Sequence, residues 1–234
     1  MVSLLAIECS TEIVSIALAI GDGIVERVFP DGARQSECIV QGIDQLLSEA
    51  GMVASGIDVV AVSVGPGAFT GVRLAIATAQ GLALSLDRPV VPVSSLAALA
   101  AGNAPDRGEH AVLSLLDARM GEVYAGWFSV SARKVSAIGD EAVLLPDCLV
   151  RPAGVAGYTV LGGGLKSHMP VVFEALGEPL LSDSNARPRA GQVARLAWQI
   201  WPSNCVSADA VEATYLRNKV ALTSAERAAV SVKR

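Results

Sequence analysis

The sequence predicts an α/β protein of two lobes that share one plan, and three observations carry that reading. Each half opens on an apolar, strand-like run that ends in an acid, LLAIECS with Glu8 and AVLSLLD with Asp117. In each half the predicted order is three strands, a helix and a further strand. That last strand runs into glycines in both halves, GPGAFTGVR at 65–73 and GGG at 162–164.

In the first half, LLAIECS is apolar without helical periodicity. VSIALAI and IVERVF flank Gly21-Asp22-Gly23, residues that tolerate positive φ and suit a tight hairpin. QSECIVQGIDQLLSEAG places Ile39, Ile43, Leu46 and Leu47 on one helical face, with Gly51 as its stop. IDVVAVSV is the fourth strand, and a long helix follows the glycine loop, beginning at Phe69 or Thr70. SSLAALAAG is a short helix capped by Ser94 or Ser95 and stopped by Gly102.

The polar stretch NAPDRGEH marks a boundary, giving lobes at residues 1–102 and 103–234, with the last residues expected to pack back on the N-terminal lobe. In the second half, AVLSLLD is a buried strand ending at Asp117. GEVYAGWFSV and KVSAIGDEAVLL pair around a turn near Ser131–Lys134. A modest helix is expected within 146–154, broken by Pro146 and Pro152, and YTVLGGGL is a strand. AGQVARLAWQIW is a helix, and ADAVEATYLRNKVA a loop or short extended segment in which Tyr215, Leu216 and Arg217 pin the tail to a lobe through a buried aromatic.

Composition narrows the function. Apolar residues make up 52% and charged residues 18% of 234, which fits a globular chain with a substantial core. A net charge of −5, no long Lys/Arg run and 4% aromatics argue against autonomous nucleic-acid binding. Cys9, Cys38, Cys148 and Cys205 form no CxxC pair and read as free, buried thiols of a cytoplasmic protein. The N-terminus lacks a basic leader, and the apolar stretch 74–86 is too short to cross a bilayer, so no membrane role is expected.

Two such lobes, each with an acid at its first strand, resemble the RNase H-like lobes of the actin/Hsp70/sugar-kinase (ASKHA) superfamily. That resemblance implies a nucleotide cleft whose parts here would be Glu8 and Thr11 in ECST, Asp117 and Arg119 in DARMG, and Gly163. ECST has no glycine to let backbone amides approach a phosphate, and Glu8 is one methylene longer than the usual Asp. The plain alternative is that Glu8 and Asp117 only cap turns at strand ends.

LAIECSTE, VSVGPGAFTGVRLAIATAQGLAL, VSSLAALA, LDARMGEVYAG and YLRNKVA resemble signature segments of the bacterial TsaB (YeaZ) family. The likeness is close over the N-terminal hundred residues and continues in islands to near residue 220. It implies a non-catalytic subunit similar in fold to TsaD, the subunit that transfers a threonylcarbamoyl group to the adenosine next to the anticodon of tRNAs reading codons that begin with A. It implies binding to TsaD, joined by the ATPase TsaE, with the activated threonylcarbamoyl-adenylate made by a separate synthetase. It further implies a homodimer when alone, only indirect contact with tRNA, and no cofactor in the isolated chain, ATP or ADP entering with TsaD and TsaE. Glu8 and Gln35 depart from the Asp and His usual in relatives. An active phosphotransferase of the same fold and a metallopeptidase remain the alternatives; the latter needs closely spaced ligands, and His110 and His168 lie in different segments.

The glycine loop has three readings: a scaffold for a partner-binding helix, a purely intramolecular turn, or a phosphate site at a helix N-terminus. Under the first, Gly65, Gly67 and Gly71 allow a sharp exit from the strand and Pro66 stiffens it. Gly71, Ala75, Ala79 and Ala83 form a small-residue stripe that lets a partner helix come close. The resemblance sets a partner interface on the two helices, with Ile39, Ile43 and Leu46 from one and Phe69, Gly71, Arg73, Leu74, Ala75, Thr78, Ala79 and Leu82 from the other. Arg73 is either a surface ion-pair residue or a contact to the partner or a nucleotide.

Overall fold

A computed structural model of the chain describes residues 1–31, 34–102, 109–131 and 134–217. The lobe junction at 103–108 and the end of YLRNKVA lie outside the described residues. The first sheet contains β1 (Ser3–Glu8), β2 (Val14–Ile20), β3 (Gly23–Phe29), β4 (Val59–Ser63) and β5 (Val90–Val93), in the order β3-β2-β1-β4-β5. β1, β2 and β3 are antiparallel neighbours, while β4 runs parallel to both β1 and β5. The second sheet contains β6 (Glu109–Arg119), β7 (Glu122–Ser131), β8 (Lys134–Ala137), β9 (Ala142–Leu144), β10 (Tyr158–Leu161) and β11 (Leu181–Asp183). Its main path is β11-β10-β6-β7-β8, with β9 also paired to β7. Read from the edge, the two sheets have one topology: three antiparallel strands, then two parallel to the first.

The period-2 alternation of the strands assigns the layers. Leu5 and Ile7 of β1, with Ile16 of β2 and Val60 and Val62 of β4, face α1 (Gln35–Glu49) and α2 (Phe69–Leu86). The alternate residues, Leu4, Ala6, Ala17, Ala19 and Ala61, face α3 (Ser95–Ala101) and α5 (Ala190–Ile200). Those alanines let α5 lie close to the sheet through its own Ala190, Ala194 and Ala197. Leu96 and Leu99 of α3 also pack on Val112 and Leu116 of β6, so α3 sits between the sheets. α4 (Met169–Leu176) covers the far face of the second sheet.

The N-terminus of α5 is held by the first sheet. The Ala190 amide donates to Ser15 Oγ at 2.8 Å and the Gly191 amide to Glu26 Oε1 at 2.9 Å. A carboxylate there also meets the positive end of the helix dipole.

Several elements differ from the sequence reading. β5 carries Pro92, which fits an edge strand because no ladder bond is lost on the open side. β5, β11 and α4 are short and gave no periodic signal. KVSAIGDEAVLL is two strands, β8 and β9, divided at Gly139 with φ +83°. The expected helix within 146–154 is a single 3₁₀ turn, Pro146–Cys148, and Cys148 is exposed rather than buried. α2 starts at Phe69 and spans 18 residues, so the stretch 74–86 is only part of a helix long and apolar enough to cross a membrane; its inner side packs on the chain's own sheet.

The glycines after β4 in the first lobe and after β10 in the second press backbone against backbone. A β-carbon at Gly71 would lie inside the Cys9 carbonyl oxygen, and one at Gly67 inside that of Ser10. In the second lobe a β-carbon at Gly162 would strike the Leu115 carbonyl of β6. Glycine is required because only a bare Cα allows the approach. Gly71→Ala is therefore expected to destabilise the fold by about 3 kcal/mol, read by urea denaturation, whereas Gly81→Ala, where a β-carbon meets open space, should leave stability level or slightly raised.

Candidate functional site

The end of β1, the glycine loop and the β6–β7 hairpin open onto one cleft of about 1220 Å³. Thr11, Asp117, Arg119 and Gly163 all line it, so the structure brings together four of the five residues expected there. Glu8 is the exception. It is fully buried beneath the turn, where its Oε1 accepts the Ser10 amide at 2.5 Å. Burial pushes its carboxyl above the usual range, and hydrogen bonds from Ser10 and Ser63 only partly offset this.

Asp117 repeats that turn in the second lobe: its Oδ1 accepts the Arg119 amide at 2.7 Å, and its other oxygen is 3.3 Å from the Arg119 guanidinium. β6 runs past Asp117 to Arg119 through a bulge, so the acid is not the strand's last residue. Both acids thus cap the amide two residues on, as the plain reading expects.

Two polar groups of the glycine loop are bonded within the chain. The Ala68 amide donates to the Ser10 carbonyl at 2.7 Å, and the Gly65 carbonyl accepts from the Ser95 amide at 2.9 Å. Ser94 is the cap of α3, accepting from the Leu96 and Ala97 amides.

Opposite charges pair across the cleft. Arg187 Nε donates to Glu12 Oε1 at 2.6 Å. Burial alone would raise the Glu12 carboxyl, but its own backbone amide, Arg187 and the charge of Arg119 outweigh it and hold it below the usual range. Arg73 makes no carboxylate pair among the described contacts; its guanidinium lies 3.9 Å from the Phe69 ring centre, and Nε donates to Tyr215 Oη at 3.0 Å. Tyr215 is 55% exposed, so the tail is not pinned by a buried aromatic. Arg217 does the pinning, on Glu122 and the Ala118 carbonyl. Sequence reasoning missed Glu12, Glu122 and Arg187, since no local pattern marks partners so far apart in the chain.

The stripe Gly71, Ala75, Ala79 and Ala83 faces inward. The three alanines have no exposed surface and belong to the first sheet's core, as do Ile39 and Leu46 of α1. The expectation that a partner helix lies on that stripe is corrected: the chain's own strands occupy it. The open side of α2 carries Phe69, Arg73, Ala77, Gly81 and Leu84, flanked by half-buried Leu74, Thr78 and Leu82. On α1, Ile43 is half-buried and Val40 is exposed. Among the described residues no three His, Cys, Asp or Glu side chains are grouped to hold a metal ion.

Two lobes of one topology around a cleft define an α/β protein with RNase H-like lobes of the actin/Hsp70/sugar-kinase type. Comparison with known proteins narrows the class. The sequence model of the family described as "TsaD: tRNA N6-adenosine threonylcarbamoyltransferase" matches residues 23–187. The Escherichia coli (strain K12) tRNA threonylcarbamoyladenosine biosynthesis protein TsaB is 33% identical over 222 residues, covering 93% of this chain and 96% of that protein. The Bacillus subtilis (strain 168) protein of the same name is 32% identical over 149 residues, 63% of this chain and 64% of its own. The solved structure of YeaZ from Pseudomonas aeruginosa superposes with a TM-score of 0.84 at 34% identity, covering 92% of this chain and all of that one (100%). The chain belongs to the TsaB (YeaZ) family.

The buried acid gives a test. A folded-state pKa above the unfolded value of about 4.3 contributes stability that is fully present below that pH and lost as pH rises through the folded value. Glu8→Gln keeps an oxygen for the Ser10 amide. It should match the wild type at pH 4 and exceed it at pH 8 by about 1 kcal/mol or more in unfolding free energy, measured by denaturant titration at both pH values. An equal difference at both would contradict the assignment.

Proposed function

We propose that this chain is a non-catalytic subunit of the machinery that makes threonylcarbamoyladenosine in tRNA, and that it binds and supports TsaD. The observation that carries the reading is the near full-length likeness to a relative named for that biosynthesis. The cleft supports the non-catalytic part. Glu8 is sealed from it, Asp117 is spent on its own turn and on Arg119, and the loop amide of Ala68 is bonded to Ser10.

The working surface in this proposal is the outward side of α2. Ala77 and Gly81 leave it flat between the bulk of Arg73 and Leu84, so a partner helix can cross close to the backbone. Val40 on α1, which packs on the same side of the first sheet, is a further exposed apolar side chain. Alone, the same surface would be covered by a second copy, giving a homodimer. TsaE and ATP or ADP join only the assembly with TsaD, tRNA contacts run through TsaD, and the setting is the cytoplasm, where the described cysteines remain free thiols.

Light scattering after size exclusion, with TsaD from the same source, tests this. Wild type should give a one-to-one complex. Gly81→Trp and Ala77→Glu should keep the wild-type circular dichroism and lose the complex, while Ala75→Trp should fail to fold because its site is filled. A complex of wild-type strength with Gly81→Trp would overturn the surface assigned here.

A further inference from the structure

The tail from Val206 to Arg217 crosses from one lobe to the other at the mouth of the cleft. It is first held to the first lobe by paired amide bonds between Val206 and Val90, at 2.9 and 2.8 Å. The Val211 carbonyl then accepts from Gln80 of α2 at 3.2 Å, and the Thr214 amide donates to the Val64 carbonyl at 2.8 Å. Tyr215 lies against Arg73 and Phe69, its ring 6.4 Å from that of Phe69. Two residues later the chain is on the second lobe.

What it meets there is a strained turn. Arg119, Met120 and Gly121 at the β6–β7 tip have φ of +64°, +57° and +80°. Two successive side-chain-bearing residues in the left-handed region cost about 1–2 kcal/mol each and persist only where the surroundings hold them. Asp117 holds the near side through the Arg119 amide. Arg217 grips the turn from both ends: its guanidinium donates to the Ala118 carbonyl before it, at 3.0 Å, and pairs with Glu122 after it. Met120 Sδ lies 3.2 Å from the same guanidinium. The Arg217 side chain is only 17% exposed, so these charge-assisted bonds are shielded from water.

We infer that residues 211–217 are a strap that latches the two lobes across the cleft, with Arg217 as the latch that keeps the β6–β7 tip in its left-handed form. The tip and Tyr215 both line the cleft, so the latch sets the shape of its mouth and fixes Tyr215 beside the first turn of α2. This device belongs to the lone chain and does not depend on the partner reading.

Amide hydrogen exchange on the full chain tests it. In Arg217→Ala, exchange at 118–122 and at 211–216 should both rise at least about tenfold while the first sheet is unchanged. Glu122→Gln should do the same more weakly, and guards against misfolding of the first variant. Arg27→Ala, which breaks an ion pair to Glu49 within the first lobe, should leave both segments as in wild type. Met120→Gly relieves the strained position, so adding Arg217→Ala to it should accelerate the tip far less. If Arg217→Ala and Glu122→Gln leave the tip unchanged, or loosen the strap alone, the latch is wrong. An undiminished effect of Arg217→Ala in the Met120→Gly background would also overturn it.

Discussion

The fold depends on one contact made twice: the chain leaving β4 in one lobe and β10 in the other lies directly on the backbone at the end of that lobe's first strand. Gly67 and Gly71 touch Ser10 and Cys9, and Gly162 touches Leu115. A side chain at any of these points would push the loop away by more than an ångström. The contact sets where α2 begins, which way it rolls, and how the turn below Thr11 is shaped.

From that roll the two sides of α2 follow. Because Gly71 sits on Cys9, the residues at four-residue spacing after it, Ala75, Ala79 and Ala83, are turned onto β4 and β1 and filled in. The opposite side, with Ala77 and Gly81, is left to the outside. The same loop that resembles a phosphate cradle has its Ala68 amide bonded within the chain. Its glycines serve close packing and leave the opposite face of the helix exposed.

Much of this was legible in the sequence. The strand alternation, the hairpin at Gly21 and the Ser94 cap all found their places, because each is set by neighbours in sequence; of the two first strands only β1 ends on its acid, since β6 continues through a bulge to Arg119. The roll of α2 was not legible. Ala75, Ala77, Ala79, Gly81 and Ala83 put small residues on every side, so spacing alone could not choose the buried stripe. The signal that decides it is Gly71, once its contact with Cys9 is known. Glu8 as a cleft residue failed for a related reason: a strand end points its side chain in or out by register, and β1 turns Glu8 inward. The Arg187–Glu12 and Arg217–Glu122 pairs join distant segments, which no window along the chain can see.

The glycine loop packs on the chain's own backbone at Cys9 and Ser10, and its Ala68 amide is bonded to the Ser10 carbonyl rather than open to a phosphate. Isothermal titration calorimetry of Mg-ATP into the isolated chain tests it most directly. The account predicts no saturable heat at millimolar nucleotide, for the wild type and for Asp117→Ala alike. Saturable binding that Asp117→Ala or Thr11→Ala abolishes would contradict it and return the cleft to nucleotide chemistry.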